Sequence, residues 1–345
     1  MKIIGCDFHP SYQHIAMLDV ATGEIVERRL EHEGGEVRSF YAGLRGERVL
    51  IGMEACGNSE WFEEMLAEMG HELWLGDAAQ IRARAVRQQK TDRRDAQHVL
   101  KLLLEGRFPR LWVPTAAMRD LRQLLLHRHK LVGMRTRIKN ELQHLALNQG
   151  VRRRYKLWSQ AGRQLLESLP LSGWRARRRR DLLQLLDELD HKIAELSQAV
   201  TEQAAQDPQA RLLQTHPGVG PITALAFVLT IGEAARFPRG KQVASYLGLI
   251  PSEHSSGGRQ KFGSISKQGS PFLRYLLVEA GQSAARQDPD LRRAYQRLKH
   301  RKHSALAKVM VARKLAVRLY WMLRSQQPYA PAHMQGSPSH PVVVV

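Results

Sequence analysis

The chain has 345 residues, with 53 Lys or Arg against 33 Asp or Glu and a formal net charge of +20. That length supplies core for two domains, and the charge imbalance calls for a polyanionic partner, nucleic acid ahead of a membrane surface. There is no apolar run of about 18 residues to span a bilayer, and two cysteines, Cys6 and Cys56, make neither a disulfide framework nor a thiolate zinc site.

The opening MKIIGCDFHP reads as a strand rather than a signal peptide, so a reduced cytoplasm is expected. Residues 2–7, 14–20 and 24–32 predict three antiparallel strands in a meander, with a turn at Thr22-Gly23. A helix is expected over 34–45. RVLIGMEA at 48–55 is nearly continuous apolar sequence, the pattern of a strand buried on both faces. Residues 59–70 predict an amphipathic helix ending at a glycine, 71–77 another strand, and 78–87 and 92–105 further helices. The fold class is therefore α/β with a mixed sheet over residues 1–112, compatible with a ribonuclease-H-like or RuvC-like layout.

From 113 to 206 leucines recur at spacings of three and four, which predicts long helices with a narrow apolar seam, a helical hairpin or coiled coil. Residues 151–180 hold ten Lys or Arg and one acid, Glu167. Arg152, Arg153, Arg154, Arg177, Arg178, Arg179 and Arg180, interleaved with Tyr155, Trp158 and Trp174, suit nucleic-acid contact as well as a solvated face. Residues 207–325 form a mainly helical third region. It opens with HPGVGP, where the amides around Gly218 and Gly220 can hold phosphate in a helix-hairpin-helix-like segment, or simply make a tight turn. Residues 246–281 are rich in Gly, Ser and cations, 291–324 are strongly basic and helical, and 326–345 read as a disordered tail.

Four carboxylates stand out. Asp7 ends the first strand and Glu54 the fourth, and adjacent strand ends of such a sheet lie close together. Asp92 and Asp95, an i and i+3 pair, can be brought to the same place by the following helix. Asp92 could also be only an N-cap or first-turn acid. Four acids together repel unless a divalent ion such as Mg²⁺ binds them, and such an ion polarises phosphodiesters. Lys90, Arg93 and Arg94 would then hold a phosphate backbone against the acidic centre. His9, two residues after Asp7, reads as a turn residue ahead of a contact to the metal or phosphate, and both cysteines read as small buried strand residues.

The blocks GCDFH, MEACG, KTDRRDA, PGVGPITA and YLGLIPSEHSSGG…ISKQG, in this order through about residue 325, resemble the DEDD transposases of bacterial insertion sequences. That group pairs a RuvC-like domain with a C-terminal serine transposase domain and includes bridge-RNA-guided recombinases. The resemblance implies that Asp7, Glu54, Asp92 and Asp95 form the four-acid set. It also implies a serine nucleophile in HSSGG, Ser256 ahead of Ser255. The nearby cations Arg259, Lys261 and Lys267 can neutralise transition-state charge. The resemblance further implies an enzyme of DNA cleavage and transfer with Mg²⁺, DNA and an element-encoded guide RNA as partners, a homodimer or tetramer, and a place at the bacterial nucleoid. Two other readings remain: a metal-dependent nuclease of the Holliday-junction kind that uses water, and a non-catalytic DNA-binding protein.

Overall fold

The computed structural model describes residues 1–84, 91–152, 156–253, 255 and 259–331. The chain divides into two compact units, Met1–Val113 and Pro114–Val345. Among the described residues no helix is long and apolar enough to cross a membrane.

The first unit is built on a five-stranded sheet. Strands β1 (Lys2–Phe8), β2 (Tyr12–Asp19) and β3 (Ile25–Glu31) form the expected antiparallel meander. Strands β4 (Val49–Glu54) and β5 (Glu72–Gly76) add on the other side, parallel to β1, giving the order β3-β2-β1-β4-β5. Helices α1 (Glu36–Ala42), α2 (Glu60–Glu68), α3 (Ala78–Ala83) and α4 (Asp92–Leu104) complete the unit. The continuous apolar run of β4 is explained by burial on both faces. Val49, Ile51 and Met53 join Tyr41, Phe62 and Leu66 in one core, and Leu50 joins Val99, Leu102 and Leu103 in another. Cys6 is buried in the first core as expected, whereas Cys56 lies just past β4 and is exposed.

Two glycines set how closely α4 approaches the sheet. Gly5 and Gly52 are register partners on β1 and β4. A Cβ on Gly5 would fall 2.2 Å from the Ala96 carbonyl oxygen, and one on Gly52 would fall 2.8 Å from the Leu103 side chain. The helix thus lies in a notch cut into the sheet. By strand alternation, Asp7 and Glu54 lie on this same face, each two residues beyond its notch glycine.

The second unit is helical apart from one hairpin. Helices α5 (Ala116–Leu147) and α7 (Gly173–Gln206) run antiparallel, as their cross-links show: Arg128 to Ser197 at 2.8 Å, Arg135 to Asp190 at 3.0 Å and Arg178 to Glu141 at 2.8 Å. Near the turn between them, α6 (Gln160–Glu167) closes a small core with Leu142, Leu145, Leu182 and Leu186. The leucine seam is therefore used at least in part within the chain. The larger core gathers α8 (Pro208–Gln214), α9 (Pro221–Ile231), α10 (Gly240–Tyr246), α11 (Pro271–Gln287), α12 (Pro289–Arg301) and α13 (Ser304–Ser325) around Phe227, Leu277, Leu315 and Tyr320. Strands β6 (Pro251–Glu253) and β7 (Phe262–Ile265) form the hairpin between α10 and α11.

One buried polar knot ties this core to the start of the C-terminal tail. Asp288, 1 % exposed, caps α12 by accepting from Leu291 N–H at 2.6 Å. Its other oxygen meets Arg318 and the Tyr329 hydroxyl, each at 2.5 Å, and Tyr329 also rests on the His216 ring. Within the stretch from 326 that composition assigns to a tail, Tyr329 is thus packed; residues 332–345 lie outside the described residues. Burial alone would raise the Asp288 carboxyl, but Tyr329, Leu291 and Arg318 outweigh it and hold it below the usual carboxylate range. A depressed folded value means stability that is present at neutral pH and is lost as pH falls through that value. Asp288→Ala is expected to cost about 2–4 kcal/mol in chemical denaturation, because it strands Arg318 and unties Tyr329. The variant should also lose the acid-side fall that this group contributes.

Candidate metal centre and serine hairpin

The first site forms where β1 ends and α4 begins. Thr91 caps α4, its hydroxyl accepting from Arg94 N–H, so Asp92 is a first-turn acid and not the cap. The first turn faces the end of β1. His9, in the β1–β2 turn, places Nε2 3.1 Å from Asp7 Oδ2 and 3.7 Å from Asp92 Oδ2. One ligand atom from each of Asp7, His9 and Asp92 lies within 4.8 Å of the others. That spacing suits two carboxylate oxygens and an imidazole nitrogen around one divalent ion with bonds of about 2.0–2.6 Å.

The two aspartates are tuned apart. Burial pushes the Asp7 carboxyl up, His9 pulls it back, and the nearby charges of Asp95 and Asp92 raise it further. Asp92 is held below its ordinary range, first by the Tyr12 hydroxyl, which donates to Oδ2 at 2.9 Å. Tyr12 is itself fixed between the His9 ring, stacked at 4.7 Å, and the Arg29 guanidinium, 3.9 Å from its ring centre. Arg29 in turn pairs with Glu31 at 2.8 Å. A carboxylate raised mainly by burial, beside one held low, is an arrangement that a bound cation would relieve.

The structure brings Asp7 and Asp92 together, with Asp95 close enough to act on Asp7. Glu54 ends the neighbouring strand, one residue beyond the last register pair, Cys6 with Met53. Its carboxylate faces Arg82 at 4.0 Å and is not part of the three-residue group. His9, read from the sequence as a turn residue, is one and also touches both aspartates. Tyr12 and Arg29 escape sequence reasoning altogether, since a tyrosine opening a strand carries no signal of a carboxylate 80 residues away.

The second site is the β6–β7 hairpin. Ser255 donates to Glu253 Oε1 at 2.6 Å and accepts from Lys261 N–H at 3.2 Å. Arg259, Lys261 and Lys267 are exposed, and Lys267 adopts a left-handed backbone at φ +57°. Ser256 lies outside the described residues, as do Lys90, Arg153 and Arg154.

Several sequence candidates have local partners instead. Arg93 pairs with Glu27 at 2.5 Å, and Arg94 is also engaged. Arg177 bridges to Asp181 and Arg178 to Glu141, both at 2.8 Å, while Arg179 donates to the carbonyls of Leu166 and Leu169. Arg152 and Arg180 have no side-chain partner among the described residues. Gly218, at φ +86°, is pressed against α11, where a Cβ would fall 2.4 Å from Ala284 N. Its lack of a side chain is thus required by the packing against α11 and by its left-handed backbone. Gly220 is exposed and open. Gly218→Ala is expected to cost about 2–4 kcal/mol in thermal or urea unfolding, and Gly220→Ala less than about 1 kcal/mol.

A transposase family profile of the DEDD type matches residues 4–150, and the profile described as "Transposase IS116/IS110/IS902 family" matches 210–296. The chain is 30 % identical over 336 residues to a "Probable family 20 transposase" of Pseudomonas aeruginosa, covering 94 % of this chain and 97 % of that one. It is 28 % identical to the "Transposase for insertion sequence element IS1111A" of Coxiella burnetii, over 83 % of this chain and 78 % of the relative. It is also 32 % identical to the "Pilin gene-inverting protein" of Moraxella bovis, over 42 % of this chain and 45 % of the relative.

Proposed function

Because this chain belongs to the IS116/IS110/IS902 family of insertion-sequence transposases, we propose that it cuts and rejoins DNA strands through a serine nucleophile assisted by a metal-binding acid cluster. The DEDD family implies a divalent ion, and we assign it to Asp7, His9 and Asp92, with Asp95 and Glu54 completing the acidic surround. The grouping of Asp7, His9 and Asp92 ligand atoms within 4.8 Å is the observation that carries this reading. Mg²⁺ is the ion proposed, although an imidazole among the donors also suits Mn²⁺. When bound there, the ion would supply charge stabilisation to a phosphodiester.

The protein groups have distinct tasks. Asp7, His9 and Asp92 would hold the ion, and Tyr12 fixes the Asp92 carboxylate in one orientation. In the HSSGG segment the serine hydroxyl attacks phosphorus. A phosphoserine bond forms, one DNA ester P–O bond breaks, and the serine proton passes to the departing DNA hydroxyl. That hydroxyl, or another, reverses the step at rejoining, so the phosphodiester energy is kept. Arg259 and Lys261, exposed in the same hairpin, offset charge on the transferring phosphoryl group. An element-encoded RNA guiding target choice and a homo-oligomeric assembly belong to the same proposal. Both rest on the resemblance, and the net charge of +20 suits the RNA.

Covalent trapping is the decisive test. The protein is incubated with element-end DNA, element RNA and Mg²⁺, then digested and mapped by mass spectrometry. The expected product is a phosphodiester-linked peptide from the 251–265 hairpin. Strand cleavage with no protein–DNA adduct would replace the serine route by metal-assisted hydrolysis.

A further inference from the structure

A groove of about 920 Å³ lies between the β6–β7 hairpin and helices α12 and α13. Phe262, Leu306, Met310 and Trp321 line it, and all four are exposed, Phe262 and Trp321 by about half of their surface. Contiguous apolar surface of this kind marks an interaction site. The rim has the opposite character. Lys302, Arg313 and Lys314 border the groove, and none has a side-chain hydrogen bond or ion pair among the described residues. Its acid, Asp290, is already held by Arg293 and Arg318. A second hollow, lined by Arg293, Arg297 and Lys314, continues the cationic side along α12. Over residues 289–314 nine Lys or Arg stand against one acid.

Exposed aromatics beside unpaired cations are the two components of a single-strand platform, in which ring faces take bases and cations take the backbone. A purely apolar peptide would use the floor and leave three cations unmatched. We propose that this groove seats one or two unstacked bases of a DNA strand. Phe262 and Trp321 lie against the base faces, and Lys302, Arg313 and Lys314 lie on the flanking phosphates. This inference rests on the reading of DNA as substrate. It adds a place where the duplex is opened beside the cleavage hairpin, since β7 forms one wall of the groove and one arm of that hairpin. A groove that stacks the freed bases offsets part of the cost of unstacking them.

The test uses the full-length protein without divalent ions, so that catalysis does not enter. A short oligothymidylate carrying 5-iododeoxyuridine is compared with its duplex and with oligouridylate, by fluorescence anisotropy and by photocrosslinking mapped to residues. The single DNA strand should bind more tightly than either, and crosslinks should fall on Phe262 or Trp321. Trp321→Ala and Phe262→Ser should each weaken binding about tenfold, while Trp321→Phe stays near wild type. If Trp321→Ala does not fold by circular dichroism, Phe262→Ser, on the exposed hairpin, carries the test. Unchanged affinity in Phe262→Ser, with loss only in Lys314→Ala, overturns base seating in favour of backbone contact alone. Oligouridylate binding as well as oligothymidylate overturns the assignment to DNA. Self-association lost in Phe262→Ser at constant DNA affinity overturns it in favour of a second copy. Asp7→Asn should lose cleavage and keep groove binding, so the failure of either reading shows separately.

Discussion

Asp7→Asn is expected to lower DNA strand cleavage by at least about 10³-fold, the scale of several kcal/mol of lost charge stabilisation at a metal-assisted phosphoryl centre. It should do so without unfolding the protein. Asp7 is partly buried near Asp92 and Asp95, and its carboxyl is raised by burial first, with His9 pulling it back and those two acids adding to the rise. A folded value above the unfolded one means the native state holds its proton longer. Stability of the metal-free protein therefore falls as pH rises through that window. Asparagine removes this penalty, so the melting temperature of the metal-free variant at neutral pH should equal or exceed that of wild type. Wild type should gain melting temperature on adding Mg²⁺ or Mn²⁺, and the variant should gain far less. Ion binding requires the ionised carboxylate, so at sub-saturating metal wild-type cleavage should rise with pH. A variant that keeps a tenth or more of wild-type cleavage, or an equal metal-induced shift, would remove Asp7 from the ion.

The second large effect concerns the serine pair. Ser256→Ala is expected to abolish the covalent protein–DNA species and to reduce strand transfer at least about 10³-fold, as loss of a covalent nucleophile does. Ser255→Ala should retain the adduct. Ser255 is committed to Glu253 and to Lys261 N–H, contacts that shape the hairpin and occupy its oxygen, so its loss should cost a smaller factor, about tenfold. The reverse pattern, with the adduct surviving Ser256→Ala and vanishing in Ser255→Ala, would move the nucleophile by one residue. In that case Glu253, 2.6 Å from the Ser255 oxygen, would be the group placed to take its proton. Denaturation of both variants separates a lost nucleophile from a lost hairpin.

Much of the architecture was legible because it follows from periodicity. The unbroken apolar run at 48–55 announced a strand covered on both faces, and Ile51 and Leu50 do point into different cores. Asp7 and Asp92 were legible as carboxylates at element ends, where backbone geometry alone fixes the direction in which a side chain leaves. What stayed hidden depends on tertiary partners. Tyr12 reads as an ordinary strand residue until the first turn of α4 arrives over it. The RRRR run at 177–180 reads as free positive charge until the fold supplies Glu141 and the Leu166 and Leu169 carbonyls. Gly218 fits a phosphate loop equally well until α11 is seen lying against it. The sequence shows which groups exist, and the fold decides which are already engaged.

The glycine notch under α4 has a mechanical consequence. At Gly5 main chain rests on main chain, so no soft side chain lies there between the strand bearing one acid and the helix bearing the next two. Elsewhere a core substitution can be absorbed by a rotamer change; here even one added methyl must lift the whole helix. The gap between Asp7 and Asp92 is thereby set by a rigid stop rather than by adjustable packing. Gly5→Ala, which touches no reacting group, would spread the acids like a shim under a hinge.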